Sequence, residues 1–196
     1  MAKVASIDVI LTIWCLLMST LNVYARKEGT DFCRRFYLGT QEVVNFRVFV
    51  QDLGVNAVNT TTYDVAQASI SATSPTGFGK VRVIDDLVTA GPDSNSEALG
   101  RLQGLLTRAD LTTLAIAVNL NFYFSAGPYA GSTLSILGRN QFALAERELV
   151  VAGGTGVFRF ARGYAIQKTN ATGTNRSVLD YDIYTTTYTA TTINQI

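Results

Sequence analysis

The chain has no histidine among its 196 residues. That absence excludes a Ser-His-Asp triad, a Cys-His nucleophile pair and any histidine-ligated metal centre. Proton transfer, where it occurs, falls to carboxylates, tyrosines or lysines. Cysteine is nearly absent as well, with only Cys15 and Cys33. Charge is sparse: 16 Lys and Arg against 15 Asp and Glu give a net +1, and the basic residues are scattered. No basic stripe exists to neutralise phosphates, so nucleic acid is not an expected partner. No apolar run reaches the ~20 residues that a membrane-spanning helix needs. What is abundant is apolar material, 47% of the chain, enough for a real core and far from a disordered composition.

The first 25 residues have the pattern of an export signal. Lys3 supplies a positive start, and Val9 to Met18 is apolar except for Thr12. Val23 and Ala25 then place small residues at the −3 and −1 positions before Arg26. The other reading of this stretch is a buried N-terminal helix. Export predicts a protein of the extracellular space, with no membrane segment once residues 1–25 are removed. Cys15 would leave with the signal, so Cys33 would be either free or paired between chains. Three glycosylation acceptors fit the same compartment: Asn59-Thr60-Thr61, Asn170-Ala171-Thr172 and Asn175-Arg176-Ser177. The last two share a polar stretch where an exposed loop is expected.

Residues 26–44 are polar and mixed, and are expected to form an arm before a domain over 45–196. From Asn45 onward the period is two. Phe46, Val48 and Val50 alternate with Arg47, Phe49 and Gln51, and Val81 and Val83 alternate with Lys80 and Arg82. Further strands are expected over 114–124, 132–137, 148–151, 157–168 and 178–188. Between them stand Ser74-Pro75-Thr76-Gly77, Ala90-Gly91-Pro92-Asp93, Ala126-Gly127-Pro128 and Gly153-Gly154-Thr155-Gly156. This is the punctuation of an all-β sandwich or barrel. Phe122-Tyr123-Phe124 is aromatic on both faces, which suits a filled barrel with an oligomer contact outside, or a thick sandwich core. Gly153 to Gly156 lacks the Gly-Lys-Ser/Thr ending and the following helix of a phosphate loop, and is expected to be a turn.

Several strings occur in a specific order. Phe78-Gly79-Lys80-Val81 leads to Asp85-Asp86 and Thr89-Ala90-Gly91-Pro92, then Gly100-Arg101-Leu102-Gln103-Gly104. Tyr129-Ala130-Gly131-Ser132-Thr133-Leu134, Gly138-Arg139-Asn140, Arg147-Glu148 and Ala161-Arg162-Gly163-Tyr164-Ala165 follow. In this order, over roughly 45–188, the chain resembles the plant dirigent family. The resemblance implies an eight-stranded antiparallel up-and-down β-barrel, of the kind also found in allene oxide cyclases. It implies a homo-oligomer, usually a trimer, in the apoplast, with no cofactor. It also implies small aromatic partners. A separate oxidase (laccase or peroxidase) makes phenoxy radicals, for instance from coniferyl alcohol, and the dirigent protein steers their coupling. Some relatives instead act on quinone methides, as in pterocarpan formation. A non-catalytic defence or wall-associated binding protein is the third class.

The resemblance also proposes site residues. Closing a quinone methide needs a proton on its oxygen while a hydroxyl attacks its carbon, and a carboxylic acid in an apolar pocket suits that task. Asp52 matches a family acid and is the chief proton-donor candidate, with a turn aspartate before Gly54 as the alternative. Arg147 matches the site arginine, able to hold a phenolate or quinone oxygen, or else to pair with Asp52, Asp85 or Asp86. Asn140 stands where lignan-forming relatives often have aspartate, and an amide cannot deliver a proton. Thr169 is retained. Asp85 and Asp86 are either part of the site or organisers of the turn into Thr89. Leu105, Leu106, Thr107 and Arg108 replace pocket tyrosines, and the cysteine that many relatives carry in the C-terminal strand is missing.

Overall fold

The computed structural model describes residues 40–55, 57–173 and 175–189. The expected export signal and Cys33 lie outside them. The described chain is all-β: β1 (Thr40–Leu53), β2 (Thr62–Gln67), β3 (Lys80–Thr89), β4 (Ala98–Thr107), β5 (Ala115–Phe124), β6 (Thr133–Gln141), β7 (Glu146–Gly154), β8 (Gly163–Gly173) and β9 (Arg176–Thr189). All pairings are antiparallel, in the order β1-β9-β8-β7-β6-β5-β4-β3, and β1 pairs back onto β3. The result is the expected closed eight-stave up-and-down barrel. Closure satisfies the edge groups that an open sheet would expose. The ninth strand, β2, is not an extra stave. It pairs with Lys80–Ile84 of β3, where β1 pairs with Leu87–Thr89, so β1 and β2 are two pieces of one broken stave. The chain bulges outward between them.

Several boundaries differ from the periodicity. Residues 40–44, expected in the arm, pair with Thr185–Thr189 of β9. A whole strand, β4, comes from Ala98–Thr107, whose two interior glycines hide its alternation. Residues 157–162 are not strand: Gly156–Phe158 forms a 3-10 turn and β8 begins at Gly163. Phe160 therefore sits in a loop with φ 61°. Asn170 lies within β8 rather than in a loop, because β8 and β9 stay paired as far as Gly173 and Arg176 before the chain turns at Asn175.

In β3 the apolar members of the alternation, Val81 and Val83, are not the set that faces the lumen. The inward set is Arg82, Ile84, Asp86 and Val88, while Val83 is exposed on the outer surface. An apolar residue points out and charged residues point in because the lumen is partly a polar cavity.

The inward faces pack in two layers. One end of the barrel is filled by aromatic rings: Phe46, Phe124, Tyr129 and Phe158 stack or meet edge-on with centroids 4.6–6.0 Å apart. Phe122 meets the fully buried Tyr181 edge-on at 5.2 Å. This plug closes that end, leaving the lumen at the opposite end unfilled.

Candidate functional site

The unfilled half of the lumen is a cavity of about 310 Å³. Its floor and sides are apolar, with Leu102, Ile116, Val118 and Leu120 from β4 and β5. Its polar groups come from two walls that face each other, β1/β3 and β6/β7/β8, since β3 and β7 stand half a turn apart in the stave order, and from Ser177 and Tyr181 of β9 on the side between them.

The first wall carries Asp52 and Asp86. Asp52 continues the inward series Phe46, Val48, Val50 along β1, so it is a strand residue and not a turn aspartate. Asp86 is buried among the inward residues of β3. The Thr62 hydroxyl donates to Asp52 Oδ1 at 3.3 Å, and the Thr61 hydroxyl donates to Asp86 Oδ1. Neither carboxyl belongs to an ion pair among the described residues. Burial raises both above the usual carboxylate range, and for Asp86 the added charge of Asp52 helps push it up to about 8. Asp85 is different. It points outward and pairs with Arg101 Nε at 2.8 Å and Gln103 Nε2 at 3.1 Å, which holds its carboxyl below the usual range. Of the two adjacent aspartates, only Asp86 lines the cavity.

The opposite wall carries Asn140, Arg147, Gln167 and Thr169. Register explains the assembly. Leu137 pairs with Val150, and continuing along the β6–β7 hairpin sets Asn140 opposite Arg147. Arg147 pairs in turn with Gln167, and Gln167 with Tyr181. The buried Arg147 donates to Thr169 Oγ1 at 3.0 Å, Gln167 Oε1 at 3.3 Å and the Leu144 carbonyl at 3.1 Å. Asn140 Nδ2 also donates to Gln167 Oε1, and Gln167 Nε2 donates to the Tyr181 hydroxyl. Arg147 forms no salt bridge with Asp52, Asp85 or Asp86. Its charge stays uncompensated, and burial pushes its pKa down. Two polar atoms here, Arg147 Nε and Asn140 Oδ1, are buried with no partner. An orphaned buried group costs ~1–3 kcal/mol, so both are unmet demands on this wall.

Gln167 and Tyr181 are the site residues that the motifs do not single out. Tyr181 was findable, since it stands between Leu179 and Ile183 in the inward series of β9. Burial and the charge of Asp86 raise its pKa. At the mouth, Arg82 and Lys80 share Asp64, while Arg108 lies over the Phe142 ring at 5.3 Å. Of the residues that replace the relatives' pocket tyrosines, Leu106 and Arg108 line the cavity, and Leu105 faces outward. The acceptors Asn59, Asn170 and Asn175 are exposed. Among the described residues, no cluster of three or more His, Cys, Asp or Glu could hold a metal ion.

A closed barrel holding a cavity with acids on one wall and a buried cation on the other has the form of a small-molecule site. Residues 43–186 match the family model of the dirigent-like proteins, and the chain belongs to the dirigent family. It is 44% identical over 124 residues to dirigent protein 11 of Arabidopsis thaliana, covering 63% of this chain and 64% of that one. The match thus spans a little under two thirds of that relative. It is 34% identical over 191 residues to pterocarpan synthase 1 of Glycyrrhiza echinata, covering 94% of this chain and 98% of that one. The solved structure of the pterocarpan synthase dirigent protein GePTS1 superposes with a TM-score of 0.70 at 32% identity, over 77% of this chain and 93% of that one.

Proposed function

We propose that the cavity binds a small phenolic substrate as a quinone methide, or as the alcohol that precedes one, and directs the stereochemistry of its ring closure. The observation that carries this is the split of polar groups across the lumen. Among the described residues, carboxyls that form no ion pair stand on one wall, and a guanidinium that forms none stands on the other. A quinone methide has an oxygen that gains a proton and a carbon that gains a nucleophile. The Asp52 and Asp86 wall supplies the proton. Arg147, braced by Thr169 and Gln167, holds an oxygen at the far end of the ligand by charged hydrogen bonds. The apolar sides hold the rings and exclude water.

The second reading is stereoselective steering of monolignol radicals made by a separate laccase or peroxidase, which the family resemblance implies. Coupled coniferyl alcohol radicals give a bis-quinone methide with two oxygens to protonate. Asn140 beside Arg147 leaves the far wall without an acid, so the geometry favours a substrate protonated at one end. The experiment is a chiral product assay over isoflavanols and monolignols, with and without a one-electron oxidant. Enantioenriched ring closure of an isoflavanol without oxidant is expected. Reaction only with oxidant, giving enantioenriched dimers of coniferyl alcohol, would replace this reading with the second.

The same reading includes export to the apoplast, glycans on Asn59, Asn170 and Asn175, and assembly of the barrel into a homo-oligomer. In support of assembly, an exposed apolar row crosses the outer surface. Register links Val83, Leu105, Leu137, Val150 and Tyr164 from strand to strand, interrupted only by Asn119. Tyr164 stacks on Tyr184 at 4.9 Å to extend it.

A further inference from the structure

Two carboxyls that share a wall raise the question of how many protons they hold. The β1–β3 ladder pairs Phe49 with Thr89, Val50 with Val88 and Gln51 with Leu87. One residue further, the same register sets Asp52 opposite Asp86. Both belong to the inward faces that carry Val50 and Val88. Like charges directly opposite on paired strands repel, and burial intensifies the repulsion. Elsewhere on the barrel such charges are neutralised. Asp64 has Arg82 and Lys80, Asp85 has Arg101, and Asp180 has Arg47. Among the described residues Asp52 and Asp86 have no ion-pair partner, and they receive instead one hydroxyl each, from the successive residues Thr62 and Thr61. The broken stave produces this arrangement. β1 ends just past Asp52, the chain loops out, and it re-enters β2 with both threonines at the fork.

We propose that Asp52 and Asp86 act as one acid, holding a single proton between them, and that this proton is delivered to the ligand and then recovered. The pairing stands on the register and the missing cations. Its use on a ligand rests on the quinone methide reading above. The step balances without a co-reactant. The pair's proton goes to the methide oxygen, the ring recovers its aromatic π electrons, and a ligand hydroxyl oxygen bonds to the methide carbon. That hydroxyl loses its proton to the carboxylate pair, restoring it. Other groups act weakly on the pair: Tyr181 reaches it from β9, Arg82 lies toward the mouth but is tied to Asp64, and Arg101 and Asp85 act through the wall. The upward displacement of both carboxyls agrees with this arrangement.

The test is a carbon-13 NMR titration of aspartate side-chain carboxyls in the full chain, in wild type, Asp52→Asn and Asp86→Asn, beside the pH profile of turnover. In wild type, one carboxyl should titrate close to pH 8 and its neighbour should sense the same step. Asp52→Asn should lower the Asp86 midpoint by about one unit or more. Turnover of an isoflavanol should fall through the wild-type midpoint as pH rises, and Asp86→Glu should retain it where Asp86→Asn does not. An Asp86 midpoint unmoved by Asp52→Asn, or two wild-type carboxyls both titrating below about pH 5, overturns the pair. A coupled titration with no turnover of any compound upholds the shared proton and refutes the quinone methide reading alone.

Discussion

Arg147 shows at the scale of one residue how a buried charge can be a structural burden. It is buried, has no carboxylate beside it and leaves Nε without a partner. A lone buried charge carries a desolvation penalty of several kcal/mol that an apolar side chain of similar length does not, more than the ~1–3 kcal/mol of leaving an acceptor unmet. Arg147→Met should therefore raise the urea midpoint while stereocontrol falls about tenfold or more, the worth of a charged hydrogen bond. A parallel loss of folding and stereocontrol would make Arg147 structural. Asp86 supplies the pH counterpart. Its folded-state pKa lies near 8 against 3.8 for an ordinary aspartate, so the unfolded chain releases this proton first. Stability from this group is present below pH 4 and is lost as pH rises toward 8. Asp86→Asn should match wild type in thermal midpoint at pH 4 and exceed it at pH 8, at roughly 2–4 °C for each kcal/mol. An equal difference at both pH values would contradict the buried acid.

At the scale of the element, β4 carries a different constraint. Gly104 sits against β5, and a Cβ there would lie 2.1 Å from the Asn119 carbonyl oxygen. No side-chain rotation relieves a clash with backbone. Gly104→Ala should cost on the order of 3 kcal/mol or more, read as a lower urea midpoint. A neutral outcome would mean that the two strands are free to separate. The same glycine explains what was legible. β1, β5 and β9 show their period of two plainly because inward Phe, Val, Leu and Ile alternate with polar residues. β4 does not, since Gly100 and Gly104 occupy inward positions where the pattern needs an apolar side chain. β3 was legible as a strand but its inward face was not, because Arg82 and Asp86 turn into the cavity. Asp52, Asn140, Arg147 and Thr169, named from the family resemblance, all line the cavity. Gln167 and Tyr181 join them only through cross-strand register, which a linear string does not display.

For the whole molecule, closure and assembly are separate problems. Closure is solved by the β1–β3 pairing and the aromatic plug. The outer row through Leu137, Val150 and Tyr164 remains, and in an oligomer it would be covered. Leu137→Glu combined with Val150→Lys should convert an assembled protein to monomer in light scattering, with the barrel's circular dichroism unchanged. An unaltered mass would place any contact elsewhere. The central claim is that one cavity holds the phenolic ligand between two chemically different walls. The most direct measurement is a crystal structure of the protein with a non-reacting isoflavan bound. The ligand is expected inside the barrel, with one oxygen within hydrogen-bond distance of Asp52 or Asp86 and another facing Arg147. A ligand found only on the outer surface, or inside the barrel with neither wall contacting its oxygens, would contradict the account.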